Sequence, residues 1–324
     1  MGLRALCLAS SAFAAASAGG EPRLVRTTWG VAAFEDPANW KAWMAETAAG
    51  GWAALEAPTW SVCVGAPEYT DTGRTHACDE TRAALFREAL AASGLAYVAQ
   101  VHVCGVPIAS ARVADHVASL RNQVALAQNL GATFVNAHDG VDTWTPAETL
   151  DYFRDAVALE RKLGVTISHE THRTRALATP AATLGVLDAF PTLSLTADLS
   201  HWVIAAERPF DYPSDADWWP RVLARVADRV VLTHTRVGSA EAIQVNDPAA
   251  PEHRGLVETY ERWWAAIWAR QADAGRPLWI EPEFGPPPYQ PVAPHTNAPL
   301  SDLAAAVDFM AARHRAQLER PAEL

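Results

Sequence analysis

The chain has 324 residues, half of them hydrophobic and 19% charged, which describes a folded globular protein and excludes a disordered one. Lys and Arg number 26 against 37 Asp and Glu, and the formal net charge of −11 argues against a protein built to grip phosphate backbones. No run of about 18 apolar residues occurs, so no membrane-spanning helix is expected. The four cysteines (Cys7, Cys63, Cys78, Cys104) form no C-x-x-C pair and are too few for a disulfide scaffold.

Residues 1–21 stand apart from the rest. They carry one Arg, an Ala/Leu stretch and a small-residue A-S-A triplet ending at Ala18, the outline of a secretory signal peptide. The stretch is rich in Ala and Ser, and a disordered leader fits it equally. Removal of residues 1–18 implies a secreted or periplasmic protein, retention a cytoplasmic one. The folded domain is expected over residues 22–324.

From there the same unit repeats eight times. Short β-rich runs at 24–30, 52–58, 96–104, 134–140, 166–171, 193–200, 230–238 and 278–285 each precede a segment with helical spacing. The helical segments fall at 37–50, 79–94, 111–131, 146–164, 180–190, 218–229, 258–275 and 301–318. Asp79 suits a helix N-cap and Pro146 a first helical turn. Such alternation implies parallel strands with helical crossovers, and eight units predict an α/β (β/α)8 TIM barrel in a single domain. No G-x-G-x-x-G follows the first strand, which weakens a dinucleotide-binding sheet as the alternative. The Pro-rich stretch 282–299 reads as a long loop after the eighth strand.

In such barrels chemistry sits at the carboxyl ends of the strands, and inward positions alternate. Thr166, Ser168 and Glu170 share one face, as do Ser194, Thr196 and Asp198. Val230, Leu232 and His234 share another, and Trp279, Glu281 and Glu283 the last. Four successive strands therefore end in a carboxylate or imidazole aimed at the axis. Converging charges of that kind need something positive among them. A divalent cation is the economical answer, and carboxylates plus one imidazole favour Mn²⁺, Mg²⁺, Co²⁺ or Zn²⁺. Any one of these residues alone would be more ordinary as a helix cap or a packed histidine; four in register reverse that balance.

The segments HETHR (169–173), DLSHW (198–202), LTHTR (232–236) and PEFGPPPY (282–289) together resemble the xylose isomerase-like TIM-barrel superfamily of sugar isomerases and epimerases. The resemblance implies one metal ion held by Glu170, Asp198, His234 and a glutamate of the eighth strand. Glu283 is favoured because it lies in the PEFGP motif, with Glu281 of the same parity as the alternative. It also implies that Glu170 and Glu283 act as the acid/base pair, and that His201 and Arg236 hold substrate oxygens. Arg173, His138, His102 and Glu56 lie where they would line the same rim, His253 is in a loop after the seventh strand, and Trp202 offers an apolar face for a sugar ring.

The reaction implied is proton transfer beside a carbonyl of a small-molecule sugar through an enediolate, giving epimerisation or isomerisation. A dehydratase or keto-glycoside lyase on the same site is one alternative. A zinc-dependent abasic-site endonuclease is another, disfavoured by the net charge, so no nucleic-acid partner is expected. Homo-oligomerisation is left open.

Overall fold

The computed structural model describes residues 22–63 and 78–319. Eight parallel strands pair in sequence order and close into a barrel. They are β1 (Pro22–Thr27), β2 (Ala54–Pro58), β3 (Ala96–His102), β4 (Phe134–His138), β5 (Ile167–Glu170), β6 (Ser194–Asp198), β7 (Val230–His234) and β8 (Leu278–Glu281). All residues of β4, β5 and β8 are buried, polar ones included, as expected of parallel strands covered on both faces. Two compact units make up the described chain: Val25–Thr196, and the residues from Ala197 onward with the start of β1.

In the first unit the helices are α1 (Ala32–Glu35), α2 (Trp40–Ala49), α3 (Thr59–Cys63), α4 (Glu80–Ser93), α5 (Val113–Asn129), α6 (Pro146–Leu163) and α7 (Pro180–Ala189). Their ends follow local chemistry. Asp79 accepts from the backbone N–H groups of Thr81 and Arg82, and Gly94 closes α4 in the left-handed region at φ 72°. Thr145 and Glu148 form a reciprocal capping box ahead of Pro146. Under α2 and α4 the core is aromatic: Trp40 meets Phe86 edge-on at 5.5 Å, and Phe86 meets Tyr97 of β3 at 4.9 Å.

The second unit carries α8 (Ser200–Ala206), α9 (Trp218–Ala227), α10 (Arg254–Asp273) and α11 (Leu303–Glu319). Phe210 stacks on Trp219 at 4.4 Å, and Trp219 meets Trp263 edge-on at 5.1 Å. His314 of α11 lies edge-on to Trp264 and Trp268 and reaches the Thr235 hydroxyl at 2.8 Å. That buries its imidazole and pushes its pKa down to about 3, so it sits there neutral.

The eight expected strands and eight expected helical segments are all present, with ends shifted by a few residues. Periodicity does not reveal α1, α3 and α8, which are too short to show it. Cys63 and Cys78, which the sequence reading placed in no motif, form a disulfide with Cα atoms 4.5 Å apart, and Cys104 is a buried thiol. The leader expected over residues 1–21 lies outside the described residues.

One turn in this frame admits only glycine. Gly140, just after β4, has φ 68°, and a Cβ there would stand 2.4 Å from the Ala176 Cβ and 2.9 Å from the Trp144 ring. Gly140→Ala should therefore destabilise the fold by roughly 2–4 kcal/mol, from left-handed strain plus overpacking. An unchanged midpoint of urea unfolding would contradict this.

Candidate active site

In the unit Val25–Thr196 the sequence-predicted residues gather around Glu170. Its carboxylate is 1% exposed, and Glu56 in the middle of β2 is 3% exposed, so neither carboxylate meets water. Register brings them into range: β3 pairs with β4 at Gln100↔Asn136 and His102↔His138, and β4 with β5 at Asn136↔Ser168. The Asn136 amide nitrogen donates to Glu170 Oε2 at 2.8 Å and to Glu56 Oε1 at 2.9 Å. His138 Nε2 stands 2.6 Å from the same Oε2. The rings of His102 and His138 stack at 4.5 Å, His138 and His172 meet at 4.8 Å, and Trp60 meets His102 edge-on at 6.4 Å. Burial, the neighbouring His138 and Arg175 hold the His172 imidazole well below the usual histidine range, so it is a neutral ligand or hydrogen-bonding group. One donor atom each of His138, Glu170 and His172 lies within 4.8 Å of the others.

Behind this face, Asp139 accepts from the Tyr152 hydroxyl at 2.7 Å and lies 2.6 Å from His169 Nδ1. Ala137 and His169 are register partners, so Asp139 meets His169 on the diagonal, from two residues further along the chain. Arg175 turns away from the site and donates to the carbonyls of Val103 and Gly105 at 2.7 and 3.0 Å.

In the unit from Ala197 onward the gathering point is Asp198, at the end of β6. One of its oxygens accepts from the Ser200 N–H and hydroxyl at 2.9 and 2.5 Å. The other accepts from Arg236 Nε at 3.1 Å and lies 3.7 Å from His201 Nε2. Arg236 Nη2 also lies 2.5 Å from Glu283 Oε2 as an ion pair, and Nη1 donates to the Gln244 side chain at 3.2 Å, with Tyr289 under the guanidinium at 5.1 Å. Burial pulls the Arg236 pKa down, but the carboxylates of Glu283 and Asp198 outweigh it and hold it above the ordinary value. His234, at the end of β7, lies opposite Glu281 in the β7–β8 register. Its Nε2 is 3.6 Å from Glu281 and its Nδ1 2.9 Å from Glu283.

Several expectations change against this geometry. Arg236, expected at the substrate, is 2% exposed and placed as a counter-charge beside Asp198 and Glu283, with Gln244 accepting from it. Trp202 is fully buried and edge-on to Trp219 at 6.2 Å, so it belongs to the core and offers no face to a sugar. His253 is spent on the Asn246 side chain at 2.8 Å, where it holds the loop before α10. Arg173 is half-buried and its carbonyl meets His172 Nδ1. His201 is buried beside Asp198, and its closest acidic neighbour is that carboxylate.

The sequence reading missed Asn136, Gln244 and the Asp139–His169–Tyr152 network. Asn136 had a signal: it shares the parity of His138 on the same strand, and a buried inward amide needs partners. Gln244 lies in a loop that no periodicity constrains.

A family profile described as xylose isomerase-like TIM barrel matches residues 45–275. No curated protein matches the sequence. Among solved structures, endonuclease IV from Thermus thermophilus superposes with a TM-score of 0.52 at 18% identity, over 92% of this chain and 99% of that one. D-allulose 3-epimerase from Methylomonas sp. in complex with D-allulose gives 0.54 at 15% identity, over 91% and 99%. The 3-keto-D-glucoside 4-epimerase from E. coli gives 0.55 at 10% identity, over 91% and 100%.

Arg236 is the cation that balances two buried carboxylates in its unit. Arg236→Met should cost about 3–5 kcal/mol in chelator-containing buffer, because it strands Asp198 and Glu283 without a counter-charge. Adding Glu283→Gln should recover part of that loss. If Arg236→Met unfolds at the wild-type urea midpoint, the counter-charge role is wrong.

Proposed function

Because the chain belongs to the xylose isomerase-like TIM barrel family, we propose that it is a divalent-metal-dependent sugar epimerase or isomerase, which moves a proton at the carbon beside a carbonyl. The observation that carries this reading is the row of buried acids and imidazoles at consecutive strand ends: Glu170 on β5, Asp198 on β6, His234 on β7 and Glu281 on β8, each no more than 1% exposed. Glu170 pairs with Thr196, two residues before Asp198, and His234 pairs with Glu281.

The donor set fits a hard or borderline divalent ion: three carboxylates and one imidazole, with no thiol. Glu281 takes the fourth position that the sequence reading gave to Glu283, because Glu281 is the last residue of β8 and the register partner of His234, whereas Glu283 lies in the following loop. When bound, the ion polarises a carbonyl and the neighbouring hydroxyl, and so acidifies the C–H between them. Glu170 removes that proton, held in place by Asn136 and His138. Glu281 returns a proton on the opposite face or to the adjacent carbon. His102, His138 and His172 supply hydrogen-bonding groups and a flat wall for sugar hydroxyls. An uncharged sugar agrees with an overall charge of −11 and with Arg175 and Arg236 both committed within the protein.

The histidine-rich face beside Glu170 is what a zinc-dependent abasic-site nuclease would also need, and one experiment separates the two readings. Protein purified without chelator should contain one divalent ion per chain, lost in Asp198→Ala. Incubated with ketoses, inososes and 3-keto-glycosides in deuterated water, it should place deuterium beside the carbonyl. Glu170→Gln should slow that exchange by at least about a hundredfold, the usual worth of a general base. Loss of water or of an aglycone would make it a lyase on the same site. Three zinc ions per chain with nicking of abasic DNA, and no exchange, would overturn the proposal.

A further inference from the structure

Glu170 and Glu56 are two carboxylates with almost no water access, joined by a single amide. The Asn136 nitrogen carries two protons, and its two contacts, 2.8 Å to Glu170 Oε2 and 2.9 Å to Glu56 Oε1, use one on each acid. The orientation of this amide is fixed by chemistry, since only its NH₂ end can meet two carboxylates. The side chain is fully buried on a short stem in the middle of a paired strand, with Gln100 and Ser168 as its register neighbours. It therefore has little freedom to follow either acid if one moves.

We propose that Asn136 is a positioning residue, which fixes the Glu170 carboxylate by donating one amide proton to it and the other to Glu56. Like charges this close repel in a dry setting. The bridging protons hold both acids in one geometry and leave their charge in place, because the amide itself is neutral. Glu170 Oε2 accepts from the amide and has His138 Nε2 at 2.6 Å beside it, so the carboxylate cannot turn without breaking the amide bond and shifting against the imidazole. Glu56 then has a purpose that its position alone did not reveal. It is the second anchor of the amide, and through Asn136 on β4 it acts on Glu170 from a strand three places away in the barrel order β2-β3-β4-β5. The inference rests on the proposed function only for what the fixed carboxylate is used for.

The test compares three variants in the full chain: Asn136→Ala, Asn136→Asp, and Asn136→Asp combined with Glu56→Gln. The double variant restores a donor–acceptor link between positions 56 and 136 but leaves two carboxylates facing each other at 136 and 170. Crystal structures without metal should show the Glu170 carboxylate displaced from its wild-type place beside position 136 and His138 in all three. Calorimetry with Mn²⁺ alone should show affinity weakened about tenfold or more in each, the usual effect of losing a partner that orients a metal ligand. Thermal stability should return toward wild type in the double variant while Mn²⁺ affinity does not; a purely structural bridge would restore both. Glu170 unmoved in the variant crystals, or wild-type affinity in the double variant, overturns the inference. If Asn136→Ala and Asn136→Asp do not fold, the volume-preserving double variant decides alone by the same two readouts. A wild-type protein that binds no Mn²⁺ sinks the proposed function, while the Glu170 position in the crystals still decides the role of Asn136.

Discussion

Charge brought to the buried end of a strand has to be met by another charge or by a donated proton, and the residues beyond the β-strands are arranged around that demand. Asp198 and Glu283 are met by the guanidinium of Arg236, which Gln244 and Tyr289 hold in turn. Gln244 also spans to Gly285, accepting its N–H at 2.7 Å and donating to its carbonyl at 3.1 Å. That ties the loop after β7 to the loop after β8. Glu170 and Glu56 are met by the Asn136 amide. Asp139, one residue past β4, is met by Tyr152 and His169. The loops that carry Arg236, Gln244 and Asp139 are thus tied to buried carboxylates.

The barrel was legible because its evidence is redundant. Eight alternations of period-two and period-3.6 patterning, with a capping residue at Asp79 and Thr145 and glycine stops at Gly94 and Gly164, each point to the same topology. The candidate ligands were legible for the same reason: inward parity is a property of the strand and needs no tertiary knowledge. What escaped lies off the strands or depends on long-range partners. The roles given to Arg236, Trp202 and His253 were inferred from nearness in sequence to strand ends. Parity stops where the strand stops, and beyond it a side chain goes wherever its own solvation cost is lowest. Trp202 therefore turns into the aromatic core with Trp219, and Arg236 turns into the acids.

The choice between Glu281 and Glu283 illustrates the same limit. Both have inward parity on paper, but β8 ends at Glu281, so alternation governs only the first of them. Glu281 stays in register with His234, whereas Glu283 sits in the loop segment that Arg236 and Gln244 have shaped. Sequence motif and strand geometry thus point to different residues, and the geometry carries more physical content because it states what each carboxylate is already bonded to.

The two ways of meeting buried acid have different chemical consequences. A guanidinium cancels charge: an acid held by Arg236 has its negative charge balanced at bonding distance. An amide orients without cancelling: Asn136 fixes the place of Glu170 and Glu56 and adds no positive charge to them in a dry setting. The amide-held acids thus keep their charge available to a cation or a proton. A bound divalent ion would draw on that charge, as would a proton taken from substrate carbon.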